Sequence, residues 1–404
     1  MLTRVQPRLY LDIEWADLAS VFAPLRMSRE ALARAAAEPW GANAVAALSV
    51  RTAFDAALSV LKQPPGASVA MSGVTIQNMA DVAAAHGLTI APVDLDLAAL
   101  TLSAQALDRA LAASGARVYV HAHLYGARND LASLYEVCRT RGVFMIEDCA
   151  QAFAGAPSAE MGTADLSLYS FGPIKARTCL GGAIAVCGDA AFAGKLSAAL
   201  AAHEPMPEGW MRTRACKYAL LKALSSPRPY ALTLAGLRTS GRDPEAVIGG
   251  AARGFRGVDL MAALRRAPPA ALLRLMARRF VAAPDAAWRT HAQAVLDRAF
   301  AGKLERPGAA AGANAAWLYP VLVDDPACAA ADMRQLGFDA TSGTTSLRAI
   351  TGSAHGAGPQ AKYLIDHVLY LPMSPRMSDA QLQRMAERVL ATVTPARSRA
   401  LEAA

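Results

Sequence analysis

Lys175 is the residue of this sequence whose position most suggests chemistry. It follows an alternating run from Ser167 to Phe171 that predicts a strand, and Gly172 and Pro173 predict a tight turn before it. The lysine is therefore expected at a strand end, facing whatever the turn faces. An amine in that place can be an ordinary solvated side chain, or it can be a nucleophile that forms a Schiff base with a carbonyl group. The remaining sequence decides between these two interpretations.

Two other segments supply groups that would act together with such an amine. Asp148, in IEDCAQA, is expected at the end of another strand, and it precedes Lys175 by 27 positions. Thr52 and Ala53, in LSVRTAFDAAL, are expected to open a helix, whose free N–H groups and positive dipole end suit a phosphate. With the strand-end hydroxyl of Ser170, these groups make up a site for pyridoxal 5'-phosphate (PLP). The amine would bind the cofactor aldehyde, and the carboxylate would keep the pyridine nitrogen protonated.

An alternation of helix-like and strand-like segments from about residue 45 to 190 predicts the elements that would hold these groups. Such alternation indicates an α/β fold, a mostly parallel sheet with helices on both faces, in which ligands bind at the carboxyl ends of the strands. Asp148 lies at such an end, after the apolar run from Val143 to Ile146. The predicted helices are SVRTAFDAALSVL, QNMADVAAAHG, LSAQALDRALAASG and DLASLYEVCRTRG, and the predicted strands are ASVAMSG, LTIAPVDLD, ARVYVHAHLYG and VFMIEDCAQ.

The pattern changes after about residue 190. Helices rich in alanine, leucine and arginine follow, and then AAWLYPVLVDDP, DMRQLGFDATSG and VLYLPMSP suggest a smaller α+β lobe. Ser378 and Asp379 provide an N-cap for the last helix. We expect an N-terminal segment at 1–44 that packs on the small domain, a large PLP-binding domain at 45–285 with a basic, apolar helical insertion at about 205–245, and a small C-terminal domain at 286–404.

The composition indicates a globular, helix-rich protein. Of 404 residues, 54% are hydrophobic and 18% are charged. The first residues, MLTRVQPRLYLDIEWADL, carry acids where a signal peptide needs an apolar run, and no uncharged apolar stretch approaches the roughly 18 residues of a spanning helix. Six cysteines include no CxxC pair, which favours reduced thiols. We therefore expect a cytoplasmic protein.

The net charge of +8 favours anionic ligands. The chain has no zinc-finger spacing, RNP-like aromatic motif or lysine-rich tail, so nucleic acid is not expected, and a phosphate-bearing small molecule or an anionic surface remains. His121 and His123 lie two apart on one predicted strand, but no third ligand lies nearby in the sequence. No metal site is predicted.

The segment 210–242 concentrates the basic charge. It holds seven Lys or Arg residues and no Asp or Glu, interleaved with leucine and with aromatic residues such as Trp210. Three interpretations stay open: the segment associates weakly with an anionic membrane surface, it contacts an anionic substrate, or it forms two surface helices, joined at SSPRP, that pack on the large domain. Its basic and apolar positions do not separate cleanly at helical spacing, which disfavours an interfacial helix.

The chain resembles the DegT/DnrJ/EryC1/StrS family of fold-type-I PLP-dependent aminotransferases, as a divergent member. The resemblance is carried by IEDCAQA followed by SFGPIK, and by the surrounding stretches HLYGARNDLASLYEVCRTRGVFMIEDCAQAFAG, GTADLSLYSFGPIKARTCLGG, HGLTIAPVDLD and VLYLPMSP. It covers most of residues 45–190 and is weaker towards the C terminus. It implies PLP as the cofactor, L-glutamate as the amino donor, a nucleotide-linked keto sugar or another anionic keto compound as the acceptor, and a homodimer.

The resemblance also implies roles for particular residues. Lys175 would hold the cofactor and then move the proton between the substrate Cα and the cofactor C4′. Asp148 would pair with the pyridinium nitrogen, and Gln151 would lie near the ring hydroxyl or the ring face. The phosphate would be held by Thr52, Ala53 and Ser170.

Departures from the family pattern leave the acceptor open. The position where the family places an aromatic residue over the cofactor ring falls at Ile76. Arg51 replaces the glycine before the threonine, where it could add a charged contact to the phosphate. The family's GEGG reads LGG here, and its Asn-x-Arg near residue 250 reads RGFRG. The alternatives are a PLP-dependent lyase or carbon–carbon bond-forming enzyme, or a catalytically silent protein that binds a membrane surface or a partner.

Overall fold

The structure is a computed structural model of the chain, and it describes residues 4–8, 10–153, 155, 157, 164–244, 247–248, 250, 259–281, 287–342, 346–352 and 356–396. The helices are α1 Trp15–Ser20, α2 Arg29–Ala37, α3 Val50–Leu61, α4 Gln77–Ala85, α5 Ala104–Ser114, α6 Ala132–Arg141, α7 Ala190–Ala201, α8 Glu208–Leu224, α9 Pro227–Thr239, α10 Leu260–Leu264, α11 Ala270–Val281, α12 Ala287–Phe300, α13 Pro326–Gln335, α14 Pro359–His367 and α15 Asp379–Thr392. The strands are β1 Ala44–Ala47, β2 Ser68–Ser72, β3 Val74–Ile76, β4 Thr89–Val93, β5 Val118–Ala122, β6 Ala127–Arg128, β7 Phe144–Asp148, β8 Leu166–Ser170, β9 Ala183–Cys187, β10 Ala313–Asn314, β11 Tyr319–Leu322, β12 Leu347–Ala349 and β13 Val368–Leu371.

The central sheet has seven strands in the order β1-β9-β8-β7-β5-β2-β4. The strands β8, β7, β5, β2 and β4 are parallel, and β9 runs antiparallel to both of its neighbours. In register, Asp148 lies between Ala122 of β5 and Leu168 of β8, so the carboxyl ends of these three strands meet at one edge. The predicted mostly parallel α/β sheet is confirmed, and it brings the predicted strand-end residues together.

Helices cover both faces of this sheet because successive side chains along each strand point to opposite sides. Val69 and Met71 of β2 pack with Phe54 of α3 and with α4 and α7. Ala70, between them, packs with α5 and α6 on the other face. Local signals set the helix ends: in α5, the Ser103 side chain accepts a hydrogen bond from the Ala106 N–H, and a left-handed glycine follows the last turn.

The N-terminal segment contacts both lobes. Arg8 forms an ion pair with the buried Asp339 of the C-terminal lobe, with 2.7 Å between Arg8 Nε and Asp339 Oδ2. Farther along, α1 and α2 pack with α11 on the large sheet, where the ring centroids of Trp40 and Tyr169 lie 4.7 Å apart. The boundary predicted at 285 lies outside the described residues. The three-part division of the chain stays a prediction.

The C-terminal lobe has its own core and also reaches the edge of the large sheet. Helices α12, α13 and α15 pack on the antiparallel pair β11 and β13, and Ser378 is the N-cap of α15, as predicted. Two short antiparallel pairs, β12 with β3 and β10 with β6, join this lobe to the loops at the carboxyl edge. The segments that flank β10 and β12 are thereby held beside the predicted site.

Candidate active site

A cavity of about 370 Å³ lies at the carboxyl edge of the sheet. The ends of β5, β7 and β8, the start of α3, the helix α8 and two segments of the C-terminal lobe line it. A volume of this size is ordinary for a small-molecule site, which typically measures roughly 300–1,000 Å³. The predicted residues that line the cavity are Arg51, Ile76, Asp148, Gln151, Ser170 and Lys175.

Lys175 is surrounded by protein atoms, and its remaining exposed surface faces the cavity. Desolvation lowers the pKa of its amine to about 7; the nearby Arg51 charge acts in the same direction, and the Asp148 carboxylate opposes it. The Nζ atom lies 3.8 Å from the ring centroid of Trp317. With this pKa, about half of the amine is the neutral nucleophile at pH 7, whereas a solvated lysine is almost entirely protonated.

Asp148 ends β7 and is buried beneath the cavity. Burial raises the pKa of its carboxyl, although the Ala150 N–H, Lys175, His123 and Arg51 all favour the charged form. The Ala150 N–H donates to Oδ1 at 3.0 Å. The Asp148 carboxylate therefore lies where it can accept a hydrogen bond from a protonated nitrogen of a ligand in the cavity.

The phosphate-binding helix occupies the predicted segment SVRTAFDAALSVL, but Thr52 and Ala53 lie within its first turn rather than at its opening. Helix α3 begins at Val50, because the Ser49 side chain accepts from the Thr52 N–H at 3.1 Å and caps the helix there. The Thr52 hydroxyl lies 2.9 Å from that of Ser49, and the Ala53 N–H donates to the Ser49 carbonyl. Thr52 and Ala53 are fully buried in this first turn, whereas Ser49, Val50 and Arg51 line the cavity.

Arg51 extends from this first turn into the cavity. Its Nη1 donates to Asn78 Oδ1 at 3.0 Å, and burial lowers its pKa to about 10. Ile76 ends β3, pairs with Leu347 of β12 and borders the cavity from the opposite side. The aromatic ring that contacts the lysine is not supplied from this position but from Trp317.

Gln151 and Ser170 differ in how the protein engages them. The Gln151 Oε1 accepts from the Tyr125 N–H at 3.0 Å, so this side chain also fixes the loop after β5. The Ser170 hydroxyl lines the cavity at the end of β8, and no described residue forms a hydrogen bond with it. A cavity-facing hydroxyl without a protein partner suits a polar ligand.

A second polar cluster lies beside Asp148. His123, at the end of β5, donates from Nε2 to Glu147 Oε1, and the Ser167 hydroxyl donates to Glu147 Oε2, each at 2.7 Å. Burial alone would raise the pKa of Glu147, but these hydrogen bonds outweigh it and hold the pKa at about 2. The Nδ1 atom of His123 is buried and has no hydrogen-bond partner among the described residues.

Sequence reasoning considered His123 only as a metal ligand paired with His121. The ligand atoms of His123, Glu147 and Cys149 do lie within 4.8 Å of one another. Both Glu147 oxygens already accept hydrogen bonds, and burial raises the pKa of the Cys149 thiol well above its usual value. Hydrogen bonding therefore accounts for this cluster, and it makes His123 part of the cavity wall.

Two tryptophans from distant parts of the chain line the cavity, and neither was predicted as a cofactor-binding residue; Trp210 was named only in the basic segment that could contact an anionic substrate. Trp317 is fixed by a hydrogen bond from its Nε1 to the Ile174 carbonyl at 3.0 Å. Its segment approaches closely because Gly126, at φ 102°, has no side chain: a Cβ there would lie 2.8 Å from the Trp317 nitrogen. Trp210, at the start of α8, lines the cavity near Gly181. For the contact of Trp317 with Lys175, the sequence offers no local signal other than Gly126.

The basic segment forms two helices, α8 and α9, joined at Ser225 and Ser226, which agrees with the third of the three open interpretations. Buried residues such as Met211 and Tyr218 pack α8 on the core that α11 shares. Within the described residues, no helix has both the length and the apolar character needed to cross a bilayer. The RGFRG segment, in which the family's Asn-x-Arg was sought, lies outside the described residues.

The residues present fit PLP. A desolvated amine, a buried acid, a hydroxyl without a protein partner and the capped start of α3 border one cavity of suitable size. The amine suits the cofactor aldehyde, the acid suits the pyridine nitrogen, and the helix start with Ser170 and Arg51 suits the phosphate.

Comparisons with known proteins find aminotransferases that are similar to this chain in sequence and in fold. The sequence model of the DegT/DnrJ/EryC1/StrS aminotransferase family matches residues 28–214. The aminotransferase TlmJ from Streptoalloteichus hindustanus is 19% identical with a TM-score of 0.68, over 96% of this chain and 98% of TlmJ. The sugar aminotransferase CalS13 from Micromonospora echinospora is 19% identical with a TM-score of 0.66, over 96% and 100%. The GDP-4-keto-6-deoxymannose-3-dehydratase ColD is 12% identical with a TM-score of 0.69, over 95% and 100%.

At these identities the structural likeness shows the fold, which is that of the fold-type-I PLP-dependent enzymes. The chain is similar to the DegT/DnrJ/EryC1/StrS aminotransferase family over residues 28–214, slightly less than half of its length. It is a PLP-dependent aminotransferase, which exchanges an amino group between a small-molecule amino donor and a keto acceptor.

Proposed function

We propose that the enzyme transfers an amino group from L-glutamate to the keto group of a nucleotide-linked sugar or a similar anionic keto compound. The observation that carries the proposal is the pairing of a desolvated Lys175 amine with the buried Asp148 carboxylate in one cavity. CalS13 is a sugar aminotransferase, and the ColD structure holds GDP-perosamine, which supports a nucleotide-linked sugar as the acceptor. Two arginines that line the cavity, Arg51 and Arg214, favour anionic ligands.

When bound, PLP supplies an aldehyde that captures amines and a ring that withdraws electrons from the carbon next to the nitrogen. Lys175 would hold the cofactor and then carry the proton between the substrate Cα and C4′, for which a pKa of about 7 is well placed. Asp148 would keep the proton on the pyridine nitrogen. Gln151, Ile76 and Trp317 line the same cavity, where Gln151 would lie near the ring and the other two would exclude water from it.

The phosphate group is assigned to the start of α3. In this proposal, Thr52 provides a first-turn N–H group, Ser170 its hydroxyl and Arg51 its positive charge. The Ala53 N–H, expected in the same role, donates to the Ser49 carbonyl in the structure. Ser49 now accepts from the Thr52 N–H, so a phosphate at the helix start would compete with this cap. The helix dipole and the arginine both favour the anion.

The test is half-reaction spectroscopy of the purified, PLP-loaded protein against a panel of amino acids. L-Glutamate should change the cofactor absorbance and release 2-oxoglutarate, whereas a non-transaminating PLP enzyme would release none. Borohydride treatment and peptide mapping should locate the cofactor on Lys175, and Lys175→Ala should fold but retain no cofactor after this treatment. A wild-type protein that binds PLP and responds to no amino donor would contradict the proposal.

The subunit arrangement and the location are part of the same proposal. We expect a homodimer in the cytoplasm, because fold-type-I enzymes resemble one another in building the active site at a subunit interface. Large apolar side chains remain on the surface, among them Trp15, Phe22 and Met27, each about half exposed. Weak association with anionic membranes stays a separate hypothesis, and vesicle flotation at low and high salt would test it.

A further inference from the structure

Arg214 is a cavity-lining residue to which the family resemblance gives no role. It lies on α8 and is partly buried, and its Nε donates to the Leu180 carbonyl at 2.9 Å. Its guanidinium lies 4.6 Å from the ring centroid of Trp210 and 5.5 Å from that of Tyr218. These contacts fix the plane of the group while leaving its two terminal nitrogens available to a ligand.

No described acid neutralises this charge. Among the residues that the structure describes, Arg214 forms no ion pair, and its single hydrogen bond is the one from Nε. Burial lowers the pKa of the guanidinium, and Tyr218 acts in the opposite direction. A cation partly withdrawn from water without a counterion is costly, so an anionic ligand in the cavity is the missing partner.

The position of Arg214 identifies which anion this is. Its partner Leu180 belongs to a turn in which the Gly182 N–H donates to the Leu48 carbonyl and the Gly182 carbonyl accepts from the Phe171 N–H, both at 3.0 Å. Leu48 precedes the α3 cap and Phe171 follows Ser170, so this turn joins the two parts of the proposed phosphate site. Arg214 is therefore attached to the turn that links these two parts.

We propose that Arg214 binds the phosphate of the cofactor, as a second cation beside Arg51. The proposal rests on the proposed function, since it takes the phosphate to lie at the start of α3. A phosphate monoester carries a charge of about −1.5 to −2 at neutral pH, which two arginines match. Arg51 also faces Asp148, so its charge is shared with that acid, and Arg214 supplies the remainder.

The matched variants are Arg214→Met, which keeps the apolar stem against Trp210 and Tyr218, and Arg212→Met, an exposed arginine on the same helix. Equilibrium binding of PLP and of pyridoxal, which lacks the phosphate, is measured with the cofactor-free protein. Arg214→Met should weaken PLP binding about tenfold to a hundredfold and change pyridoxal binding less than about twofold. Arg212→Met should change neither, and Arg214→Lys should recover part of the loss.

Several results would overturn the proposal. Unchanged PLP affinity in Arg214→Met would do so, and an accompanying rise in the KM of an anionic substrate would assign Arg214 to the substrate instead. Equal losses of PLP and pyridoxal would point to a packing role. If the wild-type protein bound neither compound, the proposed function itself would fail. Inorganic phosphate then tests the anion site alone: it should raise the melting temperature of the wild type and of Arg212→Met, but not of Arg214→Met.

Discussion

The pKa of Lys175 gives the most direct measure of the cavity's electrostatics. Its value of about 7 in the folded protein lies well below the usual 10.5 of a lysine, and desolvation is the main cause. The difference corresponds to about 5 kcal/mol of preference for the neutral amine, as an upper bound because the cavity admits water. At pH 7 about half of the amine would be neutral, against roughly one part in a few thousand for a solvated lysine.

Carbon NMR of lysine-labelled, cofactor-free protein measures this value directly. The chain has seven lysines, so each Cε resonance can be resolved, and Lys175→Met assigns the one of interest. Lys195, exposed on α7, is the internal control. The Lys175 resonance should titrate about three pH units below the usual 10.5 of a lysine.

Substitution of two neighbouring residues should shift the titration midpoint of Lys175 in opposite directions. Asp148→Asn removes a carboxylate that favours the charged amine, so the pKa of Lys175 should fall further. Arg51→Met removes a positive charge that disfavours it, so the pKa should rise. A folded wild type in which Lys175 titrates above about pH 9, or movements of the same sign in both variants, would refute this account of the cavity.

The same shift makes a prediction about stability. The folded pKa lies below the unfolded one, so between about pH 7 and 10.5 the folded state binds fewer protons and its stability rises with pH. Below pH 7 both states hold the proton, and the full cost of the buried charge remains. Lys175→Met removes this cost. The variant should therefore have a free energy of unfolding a few kcal/mol above that of the wild type at pH 7, with the difference vanishing by about pH 10.5.

Three further predictions follow from the same contacts. Asp148→Asn should lower kcat about a hundredfold or more in steady-state assays, because the charge that holds the ring proton is lost; near wild-type turnover would mean that the acid is misassigned. Glu147→Gln should lower the free energy of unfolding by about 1–3 kcal/mol at pH 7 in urea titrations. Since the pKa of Glu147 is depressed to about 2, that difference should shrink as the pH falls from about 4.5 towards 2, and a pH-independent difference would contradict the assignment. Light scattering should give twice the chain mass of 42.2 kDa, and an active, PLP-loaded monomer would count against the homodimer.

The sequence predicted the sheet and its edge well, because local periodicity governs both. Alternating segments placed Asp148 and Ser170 at strand ends, and parallel pairing then brings such ends together whatever the loops do. The predicted helix SVRTAFDAALSVL agrees with α3, because Ser49 is a strong N-cap residue and caps the helix in the structure. Since the cap lies at Ser49, Thr52 and Ala53 fall inside the first turn rather than at the opening of the helix.

The contacts between lobes were beyond a reading of local patterns. Trp317 follows Lys175 by 142 positions, and only the close approach at Gly126 brings it to the amine. In the basic segment, the sequence showed many cations without indicating which one enters the cavity. That choice is made by packing, because Tyr218 is buried against the core and turns Arg214 towards the Leu180 turn while Arg212 faces solvent.

The charges of the cavity depend on one another, and this connects the cofactor site to the chemistry. Lys175, Arg51 and Arg214 each have a pKa lowered by desolvation, and Asp148 is the acid that lines the cavity with them. Without a ligand, the positive charges therefore exceed the negative one. A phosphate at the two arginines would cancel most of that excess, and Arg51 would then depress the pKa of Lys175 less. In this proposal the phosphate site would do more than retain the cofactor: by neutralising Arg51, it would allow Asp148 to govern the amine that moves the proton.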